Sequence, residues 1–548
     1  MPLISFRRRN KGVLLTATVG LAGLVLGYAL LRRSFESGPM VTPPEDPRLS
    51  FATPFQNVKP GVRYLGDKAC GECHRGITEK YHRHPMGQSI TPLAEIQHLE
   101  RLERETRNPF AAAELEFRVR RQGVNELHQV VRRGADNQTV AESDARVDYA
   151  VGAGKRGRSY LIDRAGYLYQ SPISWYEERK RWDLSPHLGR TIDQLYRPVT
   201  VQCMFCHANY ADWVEGSGNH FGPLAQADLA IGCERCHGPG ELHVAQRKTA
   251  QAVPEVDYTI VHPGHLAPEL RESVCEQCHL EGVVRIDHRG RKPFDFRPGL
   301  PLSAFVSVFV RSPEQNDQRH FASQVEQMAA STCFRESNGK LGCISCHDPH
   351  ETPDPATRVL YYRDRCLSCH DTESCSLAPA RRKERSAADS CIDCHMPKFA
   401  HSDIAHMAST DHRILRQVET GPKNSAPAAP TDDLVSFYKS QTSPDDTLRD
   451  EALALMDQAG LKQASRHRLW LARIAAPVLE KSLQKWPDDV RALHAYGYAL
   501  WLENRREGAL AAFEKALQLS PEREETLAFA AGVAAQQKDT GKALAYWR

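Results

Sequence analysis

The chain has 548 residues, enough for roughly two to four domains with sizeable cores. A formal net charge of +3 and a hydrophobic fraction of 41% point to neither a nucleic-acid binder nor an acidic tail. Sixteen cysteines are too many for idle thiols in a reducing cytosol, so a cofactor, a metal or an oxidising compartment must account for them.

The N-terminus reads Arg7-Arg8-Arg9-Asn10-Lys11 and then runs from Gly12 to Leu31 without a charge. That run is long enough to cross a bilayer, and the basic residues before it favour an N-terminus left inside. With no convincing cleavage site and Arg32-Arg33 following at once, residues 1–34 are expected to be an uncleaved membrane anchor rather than a removed signal segment. The rest of the chain is then expected on the periplasmic side of the bacterial inner membrane, anchored there, or exported and soluble if the segment is cleaved. Residues 35–60, rich in proline, read as an extended linker.

Fourteen of the sixteen cysteines fall in seven Cys-x-x-Cys-His runs. They are Cys70, Cys73 and His74; Cys203, Cys206 and His207; Cys233, Cys236 and His237; Cys275, Cys278 and His279; Cys343, Cys346 and His347; Cys366, Cys369 and His370; and Cys391, Cys394 and His395. Chance would give about 0.02 such runs at this composition. In each, the two cysteines can form thioethers with haem vinyl groups and the histidine can coordinate the iron from below. A structural zinc half-site is the competing reading, but zinc does not need a histidine directly after the second cysteine every time. Seven covalently bound c-type haems are expected within a domain spanning 61–416.

After the first motif, a short helical run ends at Pro85, and His82, His84 and Met86 are candidate sixth ligands. His84 is the first choice; Met86 is the alternative, whose thioether would raise the potential of its haem. Residues 110–185 alternate in strand fashion, as in Glu114 to Arg120 and Glu126 to Val131, and predict a small antiparallel β insertion. Trp175, Tyr176 and Trp182 read as packing aromatics.

Gly238-Pro239-Gly240 lets the backbone turn sharply after the third motif, and His243 beyond it is a sixth-ligand candidate. His262, His265 and His288 lie in loops marked by proline or glycine and read as surface histidines. His350 is too close to His347 to bind the same iron from the opposite side, so it is expected to reach a neighbouring haem. His320, His401, His406 and His412 complete the candidate distal ligands. Cys333 and Cys375 lie outside every motif, and a disulfide between them is expected, with a free thiol near a haem as the alternative.

Residues 417–445 read as a second linker. From 446 to 548 the composition turns helical with a 34-residue period: Gly497, Ala509, Phe513, Ala516 and Pro521 hold the offsets of a tetratricopeptide repeat. Ala475 and Pro487 sit one period earlier, Ala543 and Trp547 one period later. Arg548 falls inside what should be a second helix, so the array is expected to be truncated or completed by a partner.

The runs Gly232 to Gly240, Gly342 to His350, Cys394 to Lys398 and Thr410 to Ile414 resemble a family of exported multihaem c-type cytochromes with C-terminal tetratricopeptide repeats, of the cytochrome c554 type. More distant likeness runs to the pentahaem nitrite reductases and octahaem hydroxylamine oxidoreductases. The resemblance implies a mainly α, loop-rich multihaem cytochrome c domain followed by a C-terminal α-solenoid. It places His84, His243, His320, His350, His406 and His412 where sixth ligands are expected. The nitrite reductases use a Cys-x-x-Cys-Lys haem that is missing here, and the hydroxylamine oxidoreductases carry one more motif, so both enzyme activities are disfavoured. The expected function is electron transfer between a membrane donor and a redox partner protein docked with help from the repeats, with no catalytic residue. The alternative is a multihaem oxidoreductase acting on a small nitrogen or sulfur compound at one open haem.

Overall fold

A computed structural model describes residues 44–548, except 187, 189–194, 225–228, 250–254, 313–322, 399–409, 417–433, 439–441 and 462–466. The chain divides into Met1–Pro44, of which only Pro44 is described, and Glu45–Arg548. The N-terminal anchor and the anchored periplasmic location inferred from it are withdrawn. A spanning helix needs about 20 mostly apolar residues, and among the described residues no helix is long and apolar enough to cross a membrane. Gly12 to Leu31 itself lies outside the described residues.

Each Cys-x-x-Cys-His run overlaps one of seven short helices. They are α1 (Asp67–Gly71), α2 (Val201–His207), α3 (Glu234–His237), α4 (Pro268–His279), α5 (Cys343–Cys346), α6 (Arg358–Leu367) and α7 (Cys391–His395). Most are far shorter than the ~12 residues at which an isolated helix becomes marginal in water. Their stability therefore depends on caps and on neighbouring segments.

Between α1 and α2 lie two antiparallel sheets. One is a meander of β2 (Phe110–Ala112), β3 (Leu115–Gln122), β4 (Asn125–Arg133) and β5 (Thr139–Val147). The other runs β1 (Ile90–Pro92), β6 (Tyr149–Val151), β7 (Gly157–Arg164), β8 (Tyr167–Tyr176) and β10 (Arg197–Pro198), with β9 (Arg181–Leu184) also paired to β8. Strand period two turns Phe117 and Val119 inward, in register with Val130 and His128. They share a core with Tyr160, Ile162, Ile173, Trp175 and Trp182. Both ends of this insertion are pinned at Ser89, whose hydroxyl donates to the His207 carbonyl at 2.6 Å and accepts from the Ile231 N–H at 3.1 Å.

Residues 45–62 are folded in part rather than extended throughout. They form the helix Pro47–Ser50 and the turn Gln56–Val58, and the buried Arg297 donates to the carbonyls of Asn57, Lys59, Pro60 and Val62. A third antiparallel sheet, β11 (Val284–Asp287), β12 (Val306–Arg311) and β13 (Leu434–Ser436), draws its last strand from the stretch read as a linker.

Val284, Ile286 and Phe309 of that sheet share one core with the C-terminal helices. These are α8 (Pro444–Gly460), α9 (Arg468–Lys485), α10 (Val490–Leu502), α11 (Arg506–Leu519), α12 (Glu524–Gln536) and α13 (Thr540–Trp547), consecutive ones packed on each other. Ala475, Ala509, Phe513 and Ala516 are fully buried. Arg449 ties α8 to the start of α10, donating to Asp450 and Asp489 at 2.6 Å each.

Candidate haem centres

Among the described residues, three motif histidines face a histidine from elsewhere in the chain. His74 and His243 have ring centroids 6.4 Å apart and planes 22° from parallel. His237 and His350 stand at 6.1 Å and 9°, and His347 and His412 at 6.3 Å and 26°. A metal–imidazole nitrogen bond is about 2 Å and a ring centre lies ~1.1 Å behind its nitrogen, so a metal between two imidazoles separates their centres by about 6.2 Å. Each pair has the spacing of two axial ligands on one iron. His262 also approaches His237, at 6.5 Å, but its ring is turned by 71°.

Protonation in these pairs suits metal binding. Burial pushes His237 and His347 down to about 4 and lowers His412, so all three are neutral at pH 7, the form in which imidazole binds a metal. Backbone carbonyls fix the tautomer: His237 Nδ1 donates to Val261 O at 2.8 Å, His412 Nδ1 to Thr410 O at 2.8 Å and His395 Nδ1 to Leu415 O at 2.6 Å. The proton sits on Nδ1 and the Nε2 lone pair is left for a metal. His243 Nδ1 donates instead to the Asp257 carboxylate at 2.8 Å.

His84 departs from this pattern. Its Nδ1 accepts the Met86 backbone N–H at 3.2 Å, which selects the opposite tautomer, and its ring lies parallel to Tyr81 at 6.0 Å. His320, His401 and His406 lie outside the described residues. His279 and His370 are exposed at the ends of their motifs. His288 is not a surface histidine: it is 8% exposed, with Nε2 3.0 Å from the Ser307 hydroxyl. His262 and His265 are exposed and stack on each other at 4.2 Å. The expected Cys333–Cys375 disulfide is absent. Both are free thiols, Cys333 near Cys366 and Cys375 beside Arg382, so each has a different neighbour.

Motifs are clamped together in pairs by the residue three positions before a first cysteine. Asp67 Oδ1 accepts the Cys233 N–H at 2.8 Å, joining the first motif to the third, and Glu272 Oε2 accepts the Cys343 N–H at 3.1 Å, joining the fourth to the fifth. Arg363 Nη1 donates to Asp389 O at 2.7 Å, joining the sixth to the seventh. The fifth and sixth meet where His347 packs edge-on against Tyr362 at 5.9 Å. The second, third and fourth converge where Arg235 Nη2 donates to Phe205 O at 2.8 Å and Gln277 Nε2 donates to Arg235 O at 2.9 Å.

Cysteine sulfurs are adjacent at the same places: Cys206 beside Cys278 lowers the latter to about 6, and Cys366 does the same to Cys391. In a haem-loaded chain these sulfurs are thioethers, so their adjacency carries over and their acidity does not. Sequence reasoning misses these clamps, and it misses Glu234, which lies between two motif cysteines and accepts the N–H groups of Leu65, Gly66 and Gly240. Gly238 closes the third motif at φ +73, where an added Cβ would lie 2.6 Å from Asn57 Nδ2.

A family model described as the doubled CXXCH motif matches residues 337–375, which hold the fifth and sixth runs. Covalently bound c-type haem is the cofactor this segment points to. The doubled attachment sequence is that of a multihaem c-type cytochrome, and electron transfer is the general activity such cofactors support. No curated protein matches the chain. Among solved structures, the outer cell wall cytochrome OcwA is similar at 16% identity, over 83% of this chain and 99% of that chain, with a TM-score of 0.37. That overlap is too low to establish a shared arrangement.

Proposed function

We propose that the chain binds seven c-type haems, one per motif, and passes electrons along them to a redox partner protein. The observation that carries this reading is the set of three facing imidazole pairs, His74–His243, His237–His350 and His347–His412, each at the spacing of two ligands on one iron. When bound, such a haem supplies a one-electron ferric/ferrous couple. The protein's part is to orient the axial imidazoles, which carbonyl acceptors on Nδ1 do for His237 and His412 and the Asp257 carboxylate does for His243. The clamps support a path through motifs one, three, four, five, six and seven, with the second joining at the third and fourth. The six C-terminal helices are assigned to repeats of the tetratricopeptide type, which offer a surface for docking the partner.

The test is intact mass and haemochrome analysis of the purified holoprotein, with electron paramagnetic resonance of the oxidised form and a redox titration. Seven haems, low-spin signals from at least three bis-histidine irons and reversible couples are expected. Fewer than seven haems, or no reversible couple, would overturn the reading. A high-spin signal that shifts on adding nitrite or hydroxylamine would favour catalysis at an open haem instead.

A further inference from the structure

Four of the seven motifs hold a carboxylate between their cysteines: Glu72, Glu234, Glu276 and Asp393. Glu72 and Asp393 are exposed. Glu234 is buried, and the N–H groups of Leu65, Gly66 and Gly240 that donate to it oppose the pull of burial toward its neutral form. Glu276, in the fourth motif, differs from all three. It is partly buried, and among the described residues its carboxylate has one hydrogen-bond partner, the Tyr438 hydroxyl, which donates to Oε2 at 2.7 Å. Burial, with Glu272 and Glu269 as like charges on the same helix, outweighs that bond and pushes Glu276 up to about 7.

No cation offsets this among the described residues. Arg271 pairs with Glu272 on the same helix, and Arg285 on β11 donates to the carbonyls of Gln277 and Leu280. Elsewhere against α4 stand Glu326, bonded to the Ser323 N–H, His265, stacked on His262, and Glu234 and Arg235, turned to Leu65 and Phe205, with the motif histidines His207 and His237. Tyr438 has a second side. With His288, Ser303, Ser307, Ser436 and Glu451 it lines a cavity of about 100 Å³ between the third sheet and α8, whose polar wall suits water and whose Glu451 is exposed. Through Tyr438, Glu276 therefore joins the fourth motif to a polar route to solvent.

We propose that Glu276 takes up a proton when an electron reaches the haem of the fourth motif, so that the chain moves a proton with the electron at that point. Negative charge added beside a carboxylate raises its affinity for a proton. On reduction the iron gains one electron from the redox partner protein and the carboxylate gains one proton from solvent to become a carboxylic acid; on reoxidation both leave. Tyr438 is a positioning residue whose hydroxyl holds the carboxylate in place. This rests on the reading that the fourth motif carries haem, and goes beyond it by giving the chain a proton-linked step.

The experiment is spectroelectrochemical titration of the parent, E276Q and Y438F holoproteins on either side of pH 7, after haem counting by intact mass. In the parent one couple should fall in potential as pH rises through this range, and in E276Q that couple should stop moving with pH while the others keep their behaviour. In Y438F, which loses the bond that favours the carboxylate, the same fall should move to higher pH. An E276Q profile that follows the parent, or a parent with no pH-dependent couple, overturns the proposal and leaves the haem reading intact. A parent protein without haem on Cys275 and Cys278 overturns the haem reading itself. If E276Q loads fewer haems, Y438F decides: a displaced fall supports proton uptake at Glu276, and an unmoved one overturns it.

Discussion

His237, in the third motif, and His350, three residues past the fifth, face each other at 6.1 Å with their planes 9° apart. The histidine that follows one motif is thus placed over another. H350A is expected to change the haem of the third motif and leave that of the fifth, where His412 faces His347. H412A should change the fifth and leave the seventh, at His395. Loss of one low-spin signal per variant, with a different signal lost in each, is the outcome to look for in electron paramagnetic resonance. If both variants lose the same signal, the pairing is wrong.

Asp67 holds the first and third motifs together through the Cys233 N–H. D67A strands that donor in a partly buried site, which costs about 1–3 kcal/mol. Urea unfolding of the holoprotein should show a lower midpoint with an unchanged slope.

Asp257 has a pH signature. Burial pulls its pKa upward, but bonds from the Thr259 hydroxyl and N–H, from His243 and from Arg247 win and hold it at about 2. A carboxylate depressed in the fold contributes stability that is complete above the unfolded value near 3.9 and is lost as pH falls toward 2. Melting temperatures measured between pH 2 and 5 should therefore drop more steeply for the parent than for D257N, by the equivalent of about 2 kcal/mol at most.

Gly497 and Phe513 touch so closely that a Cβ at 497 would lie 2.7 Å from the Phe513 ring. G497A is expected to destabilise the helical array by about 1–3 kcal/mol through overpacking, with the haem spectrum unmoved. Far-ultraviolet circular dichroism and the Soret band, followed together on heating, separate the two effects.

Cys333 and Cys375 are free. Thiol titration of denatured, unreduced holoprotein should find two reactive thiols. None would mean that the two cysteines pair.

What the sequence exposes is local. Cys-x-x-Cys-His spacing is complete within five residues, and the alternation around Phe117 and Val119 is visible because one face of that strand is buried. Which histidine meets which is not visible, since His74 and His243 are brought together only by the path of two intervening motifs. The clamps share a position but differ in chemistry, as Asp67, Glu272 and Arg363 do, so no residue pattern marks them. The short strands β1, β10 and β13 have too few residues for a period to show, and Leu434–Ser436 is defined by its partner Val306–Arg311 rather than by its own composition. His288 misleads for a similar reason: the Gly- and Pro-marked loop suggests solvent, while Ser307 and the neighbouring α8 bury it.

Ser89 binds the His207 carbonyl and the Ile231 N–H at once, so the chain leaves for the two sheets and returns within reach of a single hydroxyl. A shared core reinforces this anchor, since Leu161 and Leu168 of the second sheet pack with Val201, Met204 and Phe221. The exposed turn at 135–138, which joins β4 to β5, takes part in neither anchor, so its length can change without moving them.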